Sequence, residues 1–285
     1  MDFIGTIALD IDGTITDDRR IVPEQVIAYL QSLYDKRWQI VFITGREFVY
    51  TMQALARVEF PYYLATQNGA DIISMPERKL LKSYYFDKKV VLDLEALFDQ
   101  IGQDFLLYSG FTEGDFCYYR NDKTPSYAKD LISWMQQRSA LPWKNLKEFS
   151  ECSQEKFPMI KAIGYEEDFL ELEAQILKDH SLNFVTIQDP KTKVFHYLLI
   201  TALMATKKGA LEYLFTHHGL KRPLIVGGDD HNDKDSLLFA DVSIAMENAP
   251  KTLKATSHII APLSSEFGII KGIEKAFKFL ETKER

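Results

Sequence analysis

Residues 4–9, Ile-Gly-Thr-Ile-Ala-Leu, form an apolar run that ends abruptly in Asp10-Ile11-Asp12-Gly13-Thr14. A short run with almost no polar side chains fits a strand buried on both faces, and such strands belong to parallel sheets covered by helices. In a strand-like backbone residues two apart point the same way, so Asp10 and Asp12 start close together. Adjacent carboxylates repel, and each resists ionising unless a cation or a shared proton relieves the repulsion. Taken alone, the pair reads equally well as a polar cap on a strand end.

The pair has company. Arg222 to Gly228 reads as another buried strand, and it ends in Asp229-Asp230-His231-Asn232-Asp233. Gln39 to Ile43 is a third apolar run, ending in Thr44-Gly45-Arg46, and Thr206-Lys207-Lys208-Gly209 opens a helical segment. Open parallel sheets bind ligands beyond the carboxyl ends of their strands. Carboxylates, a hydroxyl and a lysine gathered there would hold a divalent cation and an anion side by side.

These four motifs, in this order, resemble those of the haloacid dehalogenase (HAD) superfamily of phosphatases. Their spacing resembles the Cof-type branch, subclass IIB, which carries a C2 cap between the second and third motifs. Gln67-Asn68-Gly69-Ala70 resembles the family's Asn-Gly-Ala turn, and Ile244 to Ala249 its stretch after the fourth motif. Ser257-His258-Ile259-Ile260 with Glu266-Phe267-Gly268 resembles its C-terminal ending. The resemblance covers both ends of the chain well and the middle poorly.

What the resemblance implies is a Mg2+-dependent phosphatase acting on small soluble phosphomonoesters: sugar phosphates, nucleotides or cofactor phosphates. Asp10 would attack phosphorus to give an aspartyl-phosphate, and Asp12 would protonate the leaving alkoxide and then take a proton from water. The metal would be held by Asp10, the main-chain carbonyl of Asp12 and Asp229, with Asp233 acting from the outer shell. Ile11, Thr44, Gly45 and Asn232 would hold the phosphoryl group. Lys208 matches the family's Lys-Gly pair and would neutralise charge, while Lys207 is expected in solvent. Asp230 and Lys234 depart from the family pattern and are both expected to be solvated. A phosphosugar mutase and a catalytically idle phospholigand-binding regulator are the alternatives, and Thr44-Gly45-Arg46 and the intact Asp12 argue against them.

Of the remaining candidates, Arg46 is open between a substrate contact and a structural ion pair. His217 and His218 fall at a helix end, where positive charge suits the dipole. Arg19 and Arg20 follow the first motif in a flap. A formal charge of −7 argues against a nucleic-acid groove. Cys117 and Cys152 are too few for a disulfide framework and read as buried thiols in a reducing compartment. No apolar run reaches membrane-spanning length and Met1-Asp2-Phe3 lacks a basic leader, so a cytoplasmic protein with no membrane partner is expected, monomer or dimer.

The expected fold class is α/β: a Rossmann-like HAD core with a parallel sheet, interrupted by an α+β cap. Residues 1–83 and 197–285 would form the core and 84–196 the cap, which would set substrate specificity. Pro23 to Tyr34 reads as a crossover helix with Val26, Ile27, Leu30, Leu33 and Tyr34 on one face. Tyr62–Ala65 and Ile72–Ser74 flank Asn68-Gly69 closely enough for a hairpin. The core pattern is expected to resume at Leu198, with helices over Lys208–Gly219 and Gly268–Thr282.

Overall fold

The computed structural model describes residues 2–16, 21–138, 141–176, 182–189 and 193–283. The flap arginines Arg19 and Arg20 lie outside the described residues. In chain order the first strands are β1 (Gly5–Leu9), β2 (Trp38–Ile43), β3 (Tyr62–Thr66), β4 (Asp71–Met75) and β5 (Lys79–Ser83). Next come β6 (Phe86–Asp87), β7 (Phe105–Tyr108), β8 (Cys117–Tyr119), β9 (Trp143–Asn145), β10 (Lys156–Phe157) and β11 (Met159–Gly164). The last are β12 (Leu182–Gln188), β13 (His196–Ala202), β14 (Leu224–Gly228), β15 (Val242–Met246) and β16 (Ile259–Ala261). The helices are α1 (Glu24–Asp35), α2 (Phe48–Ala54), α3 (Lys88–Gln100), α4 (Ser126–Arg138), α5 (Glu166–Ile176), α6 (Lys207–His218), α7 (Lys234–Phe239), α8 (Lys251–Thr256) and α9 (Gly268–Lys283).

The chain divides into two units: Met1–Arg46, Thr51–Lys82 and Lys207–Arg285 form the first, and Glu47–Tyr50 with Ser83–Thr206 the second. The first is built on a sheet in the order β16-β15-β14-β1-β2-β3-β4-β5. Pairing is parallel from β16 through β3, and β3 and β4 form the antiparallel hairpin around Asn68-Gly69. Every residue of β1, β2, β14 and β15 is buried, which is why these strands read as continuous apolar runs. Helix α1 follows Pro23 and buries Val26, Leu30 and Leu33, making the β1-to-β2 crossover. Thr6, a polar residue inside β1, is satisfied: its hydroxyl donates to the Lys221 carbonyl at 2.7 Å, just ahead of β14.

This order matters for chemistry. The chain runs outward from β1 through β2 and β3, then returns to the other side at β14. The strand order therefore reverses between β1 and β14, and a crevice opens beyond their carboxyl ends.

The second unit holds a sheet in the order β12-β13-β11-β7-β8-β9, antiparallel except for the β8/β9 pair, plus a short β6/β10 ladder. Strand alternation sends Phe105, Leu107, Ile160, Ala162, Leu198 and Ile200 to one face, against Val91, Leu94 and Phe98 of α3 and Phe169 and Leu172 of α5. Leu106, Tyr108, Met159, Ile163 and Leu199 face the other way, against Ala128, Leu131 and Ile132 of α4. Arg120, buried in this unit, donates to Asp104 at 2.6 Å, pairs with Glu95, and stacks over Phe149 at 4.8 Å.

One boundary differs from the sequence expectation. Residues from Leu198 were expected to rejoin the core, but β13 pairs with β11 and β12 along its whole length, so the second unit runs to Thr206. Alternating apolar residues declare a strand and do not declare which sheet it joins. Among the described residues no helix is long and apolar enough to cross a membrane.

Candidate active site

The site lies wholly in the first unit, where loops leave the carboxyl ends of β1, β2, β3, β14 and β15 and α6 begins. Strand β1 ends as the Asp10 N–H donates to the Gly227 carbonyl at 3.0 Å, which fastens the first motif to β14. The chain then turns. The Ile11 carbonyl accepts from the N–H groups of Ile15 and Thr16 at 3.0 and 3.1 Å, and the buried Ile11 side chain anchors the turn. Gly13 has φ +73°, and a Cβ there would sit 2.1 Å from Asp229 Oδ2, so this position requires glycine on both conformational and steric grounds.

Asp10, Asp229 and Asp233 bring carboxylate oxygens within 4.8 Å of one another. Lys207 Nζ lies between two of them, donating to Asp10 Oδ1 at 2.5 Å and to Asp233 Oδ1 at 2.7 Å. This corrects the sequence expectation. Lys208, the lysine expected in the site, instead pairs with Glu212 at 3.2 Å, and both side chains are 41% exposed. Neighbouring helical residues are turned by about 100°, so adjacent lysines cannot serve one face. The signal was present in the sequence: Lys207 heads the spacing 207, 210, 211, 214, and Ala210, Leu211 and Leu214 are all buried.

Asp233 is spent structurally on both oxygens. Its Oδ1 takes Lys207, and its Oδ2 accepts from the N–H groups of Asp229 and Asp230 at 3.0 and 3.1 Å. Asp229 accepts from the Thr14 hydroxyl at 3.2 Å on Oδ1 and from the Asn248 amide at 2.7 Å on Oδ2. Asp230, expected in solvent, is half-buried and caps the short 3-10 turn His231–Asp233 by accepting from the His231 N–H at 2.7 Å. A carboxylate at that position earns its place by capping. His231 and Lys234 are exposed.

The β2 loop supplies Thr44, Gly45 and Arg46. Thr44 is buried, and its oxygen accepts from the Arg46 N–H at 3.1 Å, which leaves the hydroxyl proton to be donated elsewhere. Arg46 is 5% exposed and grips Asp12 with two bonds, Nε to Oδ2 at 2.6 Å and Nη2 to Oδ1 at 2.5 Å. The open question over Arg46 thus resolves to an ion pair with the second aspartate of the first motif. Asn232 donates to Asn68 Oδ1 at 3.0 Å. Thr14, Arg46, Asn68, Lys207 and Asn248 are site residues that motif reading did not assign.

Electrostatics follow from burying three carboxylates with one ammonium. Burial pushes Asp10 up to about 7; Lys207 opposes that rise and Asp233 adds to it. Asp229 is raised well above the ordinary carboxylate range by burial, then by Asp10 and Asp233. Burial works against the charge on Lys207, but Asp10 and Asp233 outweigh it and raise its pKa. The cluster carries an excess of negative charge that a bound hard cation would relieve, and all its donors are oxygens, as Mg2+ prefers.

The sequence matches the haloacid dehalogenase-like hydrolase family over residues 7–273. It is 26% identical over 250 residues to an HMP-PP phosphatase of Serratia proteamaculans, covering 87% of this chain and 85% of that one. It is 21% identical to the 5-amino-6-(5-phospho-D-ribitylamino)uracil phosphatase YitU of Bacillus subtilis, over 95% and 97% of the two chains. The fold matches that of the HAD subclass IIB sugar phosphatase BT4131 with a TM-score of 0.76 at 19% identity, over 95% and 98% of the chains. With the family match running through all four motif loops, the chain belongs to the haloacid dehalogenase-like hydrolases, as a Cof-type phosphoric monoester hydrolase.

Proposed function

We propose that the protein is a Mg2+-dependent phosphatase of small phosphomonoesters that works through an aspartyl-phosphate on Asp10. The observation that carries this reading is the buried Asp10 carboxylate, held through Oδ1 by Lys207 beside Asp229 and Asp233. Lys207 fixes the orientation of Asp10 and offsets the charge that builds up as phosphate approaches a carboxylate. The Thr44 hydroxyl, the Gly45 N–H and the Asn232 amide hold the phosphoryl oxygens, with Ile11 shaping the loop beneath them.

Asp10, the Asp12 carbonyl and Asp229 would hold the Mg2+, and Asp233, with both oxygens engaged, suits the outer shell. When bound, the ion supplies charge neutralisation and aligns the phosphoryl group with the nucleophile. Thr14 and Asn248 orient Asp229 by taking one bond to each oxygen.

Asp12 is the acid and base. As the ester bond breaks it gives a proton to the leaving oxygen, and in the second half it takes one from the attacking water. Each of its oxygens accepts one bond from Arg46, which holds the carboxyl in place and leaves a lone pair on each oxygen for the proton it transfers.

Specificity falls to the second unit, Ser83–Thr206 with Glu47–Tyr50, because every motif described above recognises a phosphoryl group or a cation. The named relatives make HMP-PP and 5-amino-6-(5-phospho-D-ribitylamino)uracil the first compounds to offer, followed by sugar phosphates and nucleotides. The test is phosphate release from p-nitrophenyl phosphate and from that panel, with Mg2+ and with chelator. The wild type should turn over only with Mg2+, and Asp10→Asn should fall to background while remaining folded. Full activity in chelator, or in a folded Asp10→Asn variant, would overturn the reading.

A further inference from the structure

The turn between β3 and β4 reaches the site through Asn68, and its backbone is unusual. Gln67 and Asn68 both lie in the left-handed region, with φ of 50° and 57°, and both are buried, 1% and 3% exposed. Consecutive non-glycine residues adopt that region only where surrounding contacts enforce it. Here the contacts run to the β2 loop. The Gln67 N–H donates to the Arg46 carbonyl and the Asn68 N–H to the Thr44 carbonyl, both at 2.8 Å. The two carbonyls that bracket Gly45 are therefore tied to the turn. The Asn68 side chain reaches a third loop, where its Oδ1 accepts from Asn232 Nδ2 at 3.0 Å. A Cβ placed on Gly45 would lie 3.4 Å from Asn68 Oδ1 and 4.0 Å from Asn232 Nδ2, so the three residues converge on one spot.

We propose that Asn68 is a positioning residue that sets the geometry of the phosphoryl cradle. It links loops from β2 and β14, two strands that are not adjacent because β1 lies between them. By accepting one Asn232 N–H it orients that amide with nitrogen inward and leaves the second N–H for a phosphoryl oxygen. By donating its own N–H to Thr44 it fixes the backbone beside Gly45. An asparagine suits the task because it tolerates the left-handed region and carries an acceptor of the right reach. The proposal rests on the cradle roles given to Thr44, Gly45 and Asn232 under the proposed function.

The test uses the full chain with Mg2+ and inorganic phosphate as probe, its Kd measured by calorimetry alongside KM and kcat for p-nitrophenyl phosphate. Asn68→Gly keeps the backbone conformation and removes only the amide. It should weaken phosphate binding about tenfold, the worth of one hydrogen bond to an ionised group. Asn232→Ala should weaken it at least as much, and Asn68→Gly in the Asn232→Ala background should add little, since the pair acts as a unit. If the two losses multiply, or if Asn68→Gly binds phosphate as well as the wild type, the positioning role is overturned while the cradle stands. If Asn232→Ala leaves Kd and KM unchanged, the cradle assignment falls and the positioning role with it. The wild type offers a check free of folding artefacts. The Asn232 side-chain amide, identified by its disappearance from the 15N spectrum of Asn232→Ala, should show one proton protected from exchange and the other shifted by phosphate. Equal exchange and equal shifts of both protons would also overturn the proposal.

Discussion

Lys207 shows how much chemistry can turn on a single helical step. It is fully buried between Asp10 and Asp233, whereas Lys208 pairs with Glu212 at the surface. Lys207→Met should cut kcat for p-nitrophenyl phosphate by roughly a hundredfold or more, the scale seen when one preorganised electrostatic group is removed. Lys208→Met should leave kcat within about twofold and stability within about 0.5 kcal/mol, as for an exposed i,i+4 pair. Equal losses in the two variants would return the role to Lys208. The same cluster predicts a pH-dependent response to metal. The Asp10 pKa is raised to about 7 in the fold, so this group favours folding below the ordinary carboxylate range near 4 and loses that contribution as pH rises through about 7. Asp229 is raised as well and acts in the same direction. In chelator, Tm should therefore fall between pH 5 and pH 8, and the slope should shrink in Asp10→Asn. Mg2+ competes with the protons, so its Tm gain should be larger at pH 8. A gain of equal size at both pH values would contradict the assignment.

At the scale of elements, the site depends on strand ends finished by glycines and short caps. A Cβ on Gly228, the last residue of β14, would lie 2.4 Å from Asp233 Cγ, so the carboxylate that organises the loop lies directly against that glycine. Gly228→Ala forces the two apart. It should cost about 1–3 kcal/mol of stability, as overpacking does, and lower Tm by about 2–4 °C per kcal/mol. Because Asp233 also holds Lys207, activity should fall further than stability alone explains. A variant that keeps wild-type Tm and kcat would show that the loop can shift without consequence. The capping by Asp230 belongs to the same design, since it closes the 3-10 turn that places Asn232 and Asp233.

At the scale of the whole molecule, the ten residues between the expected and observed boundary decide whether the catalytic unit can stand alone. Leu198 and Ile200 of β13 lie in the core of the second unit. A variant with a short linker from Lys82 to Lys207 should give a monodisperse, metal-dependent phosphatase with weak, unselective activity. One that retains residues 197–206 should aggregate, because it carries an apolar strand without its sheet. Size-exclusion chromatography of the two proteins makes the comparison. If the shorter variant keeps the substrate ranking of the full chain, specificity does not reside in the second unit.

The sequence alone determined the class of sheet, because strands buried on both faces leave continuous apolar runs, as β1, β2, β14 and β15 do. It also located the acidic strand ends, since polar residues after such runs have only the sheet's carboxyl edge to occupy. What it left undecided were matters of direction and partner. The Lys-Gly pair of the motif pointed to Lys208, and the angular positions on α6 gave the site to Lys207 instead. Arg46 and Asp12, 34 residues apart, met only when β1 and β2 paired in parallel. Asn68 and Asn232 lie 164 residues apart and owe their bond to the strand order. Strand β13 had the composition of either sheet, and its place was decided by the register with which it met β11 and β12. Local pattern records burial, which each residue experiences for itself; the choice among equally buried neighbours depends on long-range pairing, which the pattern does not encode.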